Sequence, residues 1–189
     1  MAKKQTTPKK HTTDIKEQYA CVLDFLPMGH EKDTRPIHLR KPLAQAVGVD
    51  YFILLELSTK EGVQVNVGEM IFVGKGERDK VKHVEKHIEY DELTPSAKIE
   101  LTYRIMKTVK ENEAHYVNFY NNLPPISDLL PGKSKWMILK IYDERKKNGK
   151  FTSYKNIQAR VKGLGSPDKL IVKRIENEIM GNTRKILTA

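Results

Sequence analysis

The stretch FTSYKNIQARVKGLGSPDKLIVKRIENEI, residues 151–179, contains two helical segments separated by a glycine turn. Ser153 is a good helix N-cap, and apolar residues follow it at helical spacing. The turn Gly163-Leu164-Gly165-Ser166 comes next, and residues 168–179 then show a second helical pattern of apolar side chains. This stretch therefore predicts two helices joined by a tight hairpin.

A related turn lies upstream in LLPGKSK, residues 129–135. It follows a brief apolar segment at 126–130 and precedes a helix predicted over 134–147. The face of that helix expected to pack inward carries Trp136, Met137, Ile141 and Tyr142. Two glycine turns of this type predict an all-α helix-hairpin-helix domain over residues 126–180.

Both turns have features that suit a phosphate group. Glycine lets backbone N–H groups approach an anion without an intervening side chain, and a following helix directs its free N–H groups and positive dipole end towards it. Lysines flank both turns. The candidate phosphate contacts are residues in or next to the two turns: Gly132, Lys133, Ser134, Lys135, Lys162, Gly163, Leu164, Gly165, Ser166 and Lys169. The alternative is that the turns only connect packed helices, since glycine ends many helices.

The preceding segment, residues 91–125, predicts connecting helices. Thr94-Pro95 is a strong start signal, because threonine caps a helix well and proline suits its first position. Leu101, Ile105 and Val109 then recur on one face.

Residues 18–90 predict β-structure. Short runs of strand-forming residues are separated by turn residues, at 19–26, 51–57, 63–67, 70–73 and 81–88, and a short helix is expected near residues 43–47. This pattern favours a small five-stranded barrel of the oligonucleotide-binding (OB) type. The predicted fold class is α+β: an OB-like barrel followed by the all-α domain, with a flexible basic tail at 1–17 and a frayed tail at 181–189.

The loops of the predicted barrel supply further cations. Lys75, Arg78 and Lys80 lie in one glycine-containing turn, and Arg35 and Arg40 lie in the long loop between residues 29 and 43. Such barrels bind single strands by stacking bases on aromatic rings and holding the backbone with Lys and Arg. The aromatics of this region are expected mostly in the core: Tyr19, Tyr51, Phe52 and Phe72.

Charge is distributed unevenly along the chain. The net charge is +10, and residues 130–189 carry 15 Lys and Arg against 5 Asp and Glu. Residues 18–129 carry 14 basic against 17 acidic side chains. A basic end joined to a near-neutral middle indicates a polyanionic partner at that end, whereas the alternative is a solubilising surface.

Other classes of protein fit the sequence less well. No apolar run is long enough to span a membrane, and the single cysteine, Cys21, excludes an internal disulfide and a cysteine-based zinc cluster. No cofactor motif or metal cluster is present, and Gly132-Lys133-Ser134 lacks the earlier glycine of a phosphate-binding loop. We therefore expect a cytoplasmic, non-enzymatic protein without cofactor or metal.

Several segments resemble an archaeal family, domain of unknown function 655 (DUF655). These are YACVLDFLP at 19–27, residues 51–62, GEMIFVGKGERDKVK at 68–82, YDELTPSAK at 90–98, residues 135–147 and residues 151–179. The resemblance covers about residues 18–180 and implies an RNA-binding protein with an OB barrel and helix-hairpin-helix region, in a role related to translation or the ribosome. The first hairpin departs from the family's Pro-Gly-Ile-Gly-Lys pattern, because Lys133 and Ser134 replace its hydrophobic residue and second glycine. The second hairpin keeps the family form.

The sequence thus predicts binding of RNA through backbone phosphates, with ribosomal RNA or ribosomal particles among the candidate partners and DNA as an alternative. A constitutive subunit of a ribonucleoprotein such as the ribosome is a second hypothesis. A DNA-repair enzyme of helix-hairpin-helix type is a third, for which Asp168 would be the residue to test.

Overall fold

The structure, a computed structural model, describes residues 17–30, 33–125 and 128–189. Within them the fold is α+β. The strands run in chain order as follows: β1 (Tyr19–Leu26), β2 (Leu43–Gly48), β3 (Leu54–Thr59), β4 (Met70–Phe72) and β5 (Val81–His87). The helices follow the strands: α1 (Pro95–Glu111), α2 (Glu113–Asn122), α3 (Lys135–Asn148), α4 (Tyr154–Arg160) and α5 (Pro167–Ile179). Short 3₁₀ turns occupy Ile37–Leu39 and Tyr90–Glu92.

The strands form one curled antiparallel sheet in the order β4-β1-β2-β3-β5. The register shifts between Val22 and Asp24 in β1, and again where β3 pairs with β5. Such bulges bend a strand and increase its twist, which helps the sheet to curl. The sheet predicted from residues 18–90 is therefore present.

Both faces of the sheet are buried, and one of them joins the helices. Ala20 and Val22 belong to a core inside the curl. Their neighbours Cys21 and Leu23 belong to a second core that runs through the buried faces of all five described helices. This second core therefore joins strands to helices across the domain boundaries predicted at residues 90 and 125.

Three local predictions in the sheet region are wrong. Residues 43–47, expected as a short helix, lie in strand β2, because pairing with β1 and β3 overrides the helix preference of Leu-Ala-Gln-Ala. Residues 63–67 form no strand, and Val65 is the residue among them that reaches the core. The strand expected at 51–57 begins only at Leu54.

Glu17 explains the late start of β3. Its fully buried carboxylate accepts hydrogen bonds from the backbone N–H groups of Asp50, Tyr51 and Ile53, at 2.9, 2.9 and 3.3 Å. These groups are thereby withdrawn from strand pairing. Glu17 thus belongs to the folded body, although the predicted tail ended at it; the rest of that tail lies outside the described residues.

Polar bonds connect the sheet to the start of α1. The Thr94 hydroxyl accepts from the Ala97 N–H at 3.1 Å, which confirms the predicted N-cap, and donates to Asp24 on β1. The buried Gln45 amide donates to the Glu92 carbonyl and accepts from the Thr94 N–H, both at 2.9 Å. Helix α1 is therefore fixed to the sheet at its first turn.

Further polar bonds position the two late hairpins. The buried Tyr120 hydroxyl on α2 donates to the Pro167 carbonyl, at the start of α5, at 2.9 Å. Arg145 on α3 donates to the carbonyls of Tyr120 and Leu123, which end α2. Arg160 at the end of α4 pairs with Glu144 on α3 at 2.9 Å. These bonds connect the four helices α2, α3, α4 and α5 to one another.

The C-terminal residues, expected to fray, are instead attached to α5. The fully buried Glu178 accepts from the backbone N–H groups of Ile186, Leu187 and Thr188 at 2.8, 2.9 and 3.0 Å. It also pairs with the buried Arg174 at 2.7 Å. A carboxylate buried away from water must be hydrogen-bonded, and these donors satisfy it. The same bonds hold residues 186–188 against α5.

Candidate nucleic-acid interface

A tight glycine turn joins α4 and α5 at the position of the second predicted hairpin. Its Leu164 is fully buried and acts as a plug, and its N–H bonds back to the Val161 carbonyl at 3.2 Å. Gly163 and Gly165 on either side both have φ of +88°, a conformation that residues with a Cβ rarely adopt. The backbone therefore requires glycine at positions 163 and 165, on either side of the buried leucine. Both glycines lie at the surface.

Several N–H groups around this hairpin have no internal partner. Within the described residues, no carbonyl or side chain accepts from the N–H of Gly163, Gly165 or Lys169. The Ser166 side chain, at the N-cap of α5, makes no capping bond either. The start of this 13-residue helix is thus uncapped, and its dipole adds partial positive charge there.

A lysine from the first hairpin lies against this surface. The Lys133 ammonium is 3.9 Å from the position that a Cβ on Gly165 would occupy. Met137, one helical turn later, lies 3.5 Å from the equivalent position on Gly163. We call the N–H groups of Gly163, Gly165 and Lys169, together with the Lys133 ammonium, the hairpin seat. It combines hydrogen-bond donors with positive charge, which is what an anion requires.

One acidic side chain, that of the half-buried Asp168, belongs to the first turn of α5. Burial raises the pKa of the Tyr120 hydroxyl, and the neighbouring Tyr154 and Asp168 raise it further.

The first hairpin offers fewer free donors. Gly132 adopts φ of +67°, but the Lys133 N–H bonds to the Leu130 carbonyl at 3.2 Å. Ser134 caps α3 by accepting from the Met137 N–H at 3.3 Å. Residues 126 and 127, in the segment before this hairpin, lie outside the described residues. The exposed Lys135 stays a candidate, and the main contribution of this hairpin is the side chain of Lys133.

Most of the cations predicted in the barrel loops already have protein partners. Arg35 pairs with Asp33 at 2.6 Å, and this hydrogen bonding lowers the pKa of the Asp33 carboxyl to about 2. Arg40 donates to the Arg35 carbonyl at 2.8 Å. Arg78 donates to the Gly74 carbonyl at 3.0 Å, and Lys80 pairs with Glu69.

Lys75 is exposed in the same turn. These side chains shape their own loops, so they are weaker candidates for a phosphate than the hairpin seat. Phe52 is buried, whereas Tyr19 is 52% exposed and meets Phe72 edge to face at 5.4 Å.

Comparison with known proteins agrees with the resemblance noted in the sequence. Residues 16–188 match the model of the family described as "Protein of unknown function (DUF655)". The chain belongs to the DUF655 family. Among curated proteins, the DUF655 chain is 40% identical over 178 residues to the "Uncharacterized protein MJ0038" of Methanocaldococcus jannaschii, covering 91% of this chain and 78% of the relative.

A solved structure is also similar to the DUF655 chain. It is the crystal structure of Af1531 from Archaeoglobus fulgidus, which belongs to the same family, and the two chains are 46% identical. The TM-score is 0.80, and the match covers 92% of this chain and all of the other. The archaeal family predicted from the sequence is confirmed. No described helix of the DUF655 chain is long and apolar enough to cross a membrane.

Sequence reasoning missed two residues beside the hairpin seat of the DUF655 chain. Trp136, expected on the packing face of α3, is 65% exposed. Lys140, which was not a candidate, donates to the Lys162 carbonyl at 2.7 Å and lies 5.3 Å from the centroid of the Trp136 ring. The four-residue spacing of this pair is a signal that could have placed both on one exposed face.

Proposed function

We propose that this protein is a non-enzymatic RNA-binding module that grips backbone phosphate at the hairpin seat. The uncapped start of α5 carries this proposal. Free N–H groups of Gly165 and Lys169, the positive end of the helix dipole and the Lys133 ammonium all meet at one exposed surface. A phosphate oxygen is the kind of acceptor that such donors lack within the protein.

The surrounding charge supports the same ligand class. Residues 130–189 contain 15 Lys and Arg against 5 Asp and Glu. Arg145, Arg160 and Arg174 bond to groups of the protein, whereas Lys135, Lys162 and Lys169 are exposed. These exposed lysines lie at the hairpins, where they would attract a polyanion and release its counterions.

The finer fold assignment belongs to this proposal. The strand order β4-β1-β2-β3-β5 supports an OB-like barrel that is open between β4 and β5. Helices α4 and α5, joined by Gly163-Leu164-Gly165, support a helix-hairpin-helix unit. In this view the hairpin contributes phosphate grip, which positions a strand without reading its bases.

Equilibrium binding of the full chain to labelled oligonucleotides tests the proposal. Affinity should fall steeply with salt, because each neutralised phosphate contributes about −0.7 to the slope of log K against log salt for a single strand. Lys133→Gln and Lys169→Gln should each weaken binding and reduce the magnitude of that slope by about 0.7, the contribution of one phosphate contact. Lys110→Gln, which removes an exposed lysine from the last turn of α1, is the matched control and should change neither.

Two results would contradict the proposal. One is an absence of binding at low ionic strength to either RNA or DNA. The other is an affinity that depends on salt but is equally sensitive to all three lysine variants, which would indicate general attraction without a seat. Because phosphate contacts alone do not separate RNA from DNA, RNA and DNA of the same sequence are compared, and tighter binding to RNA is expected.

A further inference from the structure

Trp136 is the one tryptophan of the chain, and the fold leaves it in solvent. It lies on the first turn of α3 with 65% of its surface exposed, next to Leu139, which is 43% exposed. A buried position would have stabilised the fold by removing this large apolar ring from water. Its exposure is therefore not explained by the packing of α3.

Its position relative to the hairpin seat suggests a role. Trp136 and Lys140 are four residues apart in α3 and therefore lie on one face of the helix, whereas Lys133 precedes the helix in the first hairpin. The Lys133 ammonium reaches Gly165. The Lys140 ammonium lies 5.3 Å from the Trp136 ring centroid and bonds to the Lys162 carbonyl, next to Gly163. The indole therefore lies beside Lys140, whose ammonium bonds to the turn that contains Gly163 of the seat.

The rest of the surface around Trp136 carries charges of both signs. The ring lines a shallow groove along α3 together with Leu139, Lys140, Asp143, Glu144 and Lys147. Glu144 is paired with Arg160, whereas Asp143 and Lys147 are exposed. The exposed indole suits a neutral ring system, and the anionic chain that carries it suits the seat.

We propose that Trp136 stacks an unpaired base of the same strand whose phosphate occupies the hairpin seat. This inference rests on the proposed function and specifies its ligand as a single-stranded segment. Bases of a duplex are stacked on each other and cannot cover an external ring, whereas unpaired bases stack readily on aromatic side chains. The flanking lysines select an anionic ligand over an apolar protein partner.

The experiment uses the natural fluorescence of Trp136 in the full chain. A short single-stranded RNA should quench the tryptophan emission as it binds, and the corresponding duplex should bind without equivalent quenching. Trp136→Leu keeps an apolar side chain but removes the aromatic face, and it should weaken single-strand binding about ten-fold or more. Trp136→Phe should restore most of the affinity, both variants being measured with labelled RNA.

The controls separate stacking from charge and from folding. Trp136→Leu should leave the salt slope unchanged, because it removes no charge. Tyr103→Leu removes an aromatic ring that is 59% exposed on α1 and should leave binding unchanged. Thermal unfolding of each variant should match that of the original protein, because both rings are at the surface.

Each possible outcome bears on one of the two proposals. If RNA binds with the expected salt slope but leaves the emission unchanged, or if Trp136→Leu binds normally, the stacking inference is wrong and the proposed function stands. Equal quenching by duplex and single strand also overturns the inference. If no nucleic acid binds at low salt, both proposals fail. Binding of a protein to Trp136 in place of RNA would likewise overturn the stacking role.

Discussion

Replacing Glu178 by glutamine should destabilise the protein severely and release its C-terminal residues. One carboxylate oxygen accepts from the backbone N–H groups of Ile186, Leu187 and Thr188, and the other accepts from Arg174 at 2.7 Å. An amide can present only one oxygen. If that oxygen stays with the backbone donors, its NH₂ group faces the guanidinium, and donor then meets donor.

The expected magnitude follows from burial. Glu178 is fully buried and Arg174 is 3% exposed, so the variant leaves a buried cation without its counter-charge. Removing one partner of a buried ion pair costs about 3–5 kcal/mol. We expect Glu178→Gln to lower the free energy of unfolding by about 3 kcal/mol, near the lower end of this range, because Arg174 keeps its bond to the Arg184 carbonyl.

Urea unfolding followed by circular dichroism measures this change. Limited trypsin digestion of the native protein adds a local measurement, since cleavage after Arg184 or Lys185 should accelerate once residues 186–188 lose their anchor. The matched control is Glu111→Gln, whose side chain is 63% exposed, and its effect should stay within about 0.5 kcal/mol. A loss below about 1 kcal/mol for Glu178→Gln, with unchanged digestion, would refute the reasoning.

Two further predictions concern the sheet and its long loop. Gly48→Ala should lower the free energy of unfolding by at least about 1–3 kcal/mol in the same urea assay, because its Cβ would lie 2.0 Å from the Glu17 carboxyl carbon. A urea midpoint close to that of the original protein would contradict this prediction. Arg35→Gln should return the Asp33 pKa from about 2 towards its ordinary value of 3.8, as followed by carboxyl NMR signals during acid titration. Because the pKa of Asp33 is lower in the folded protein than in the unfolded chain, the pair stabilises the fold above pH 3.8, and this stabilisation is lost as the pH falls towards 2. An unchanged Asp33 titration in the variant would exclude the pairing.

Local signals in the sequence predicted the helices well. Thr94 and Ser153 act as N-caps in the way that their residue types indicate, because capping depends on neighbours within three positions. The hairpin Gly163-Leu164-Gly165 was predictable for the same reason, since its two positive φ angles require glycine.

The errors lie where distant contacts decide the outcome. Residues 43–47 have a helical preference but pair with two strands, one of them β1. Trp136 resembles a core residue by type, and its exposure depends on how α3 packs against the rest of the chain. The convergence of Lys133 on Gly165 is likewise a tertiary fact, so the sequence could name both residues without predicting that they meet.

The continuous core from β1 to α5 affects how a ligand would be recognised. Bending between the sheet and the hairpins would have to break this apolar packing. The distance between a contact on the sheet and one on the hairpins is then set in advance. Under the proposed function, a nucleic acid would have to match that spacing with its own shape, so that its curvature, as well as its charge, would be a basis for selection.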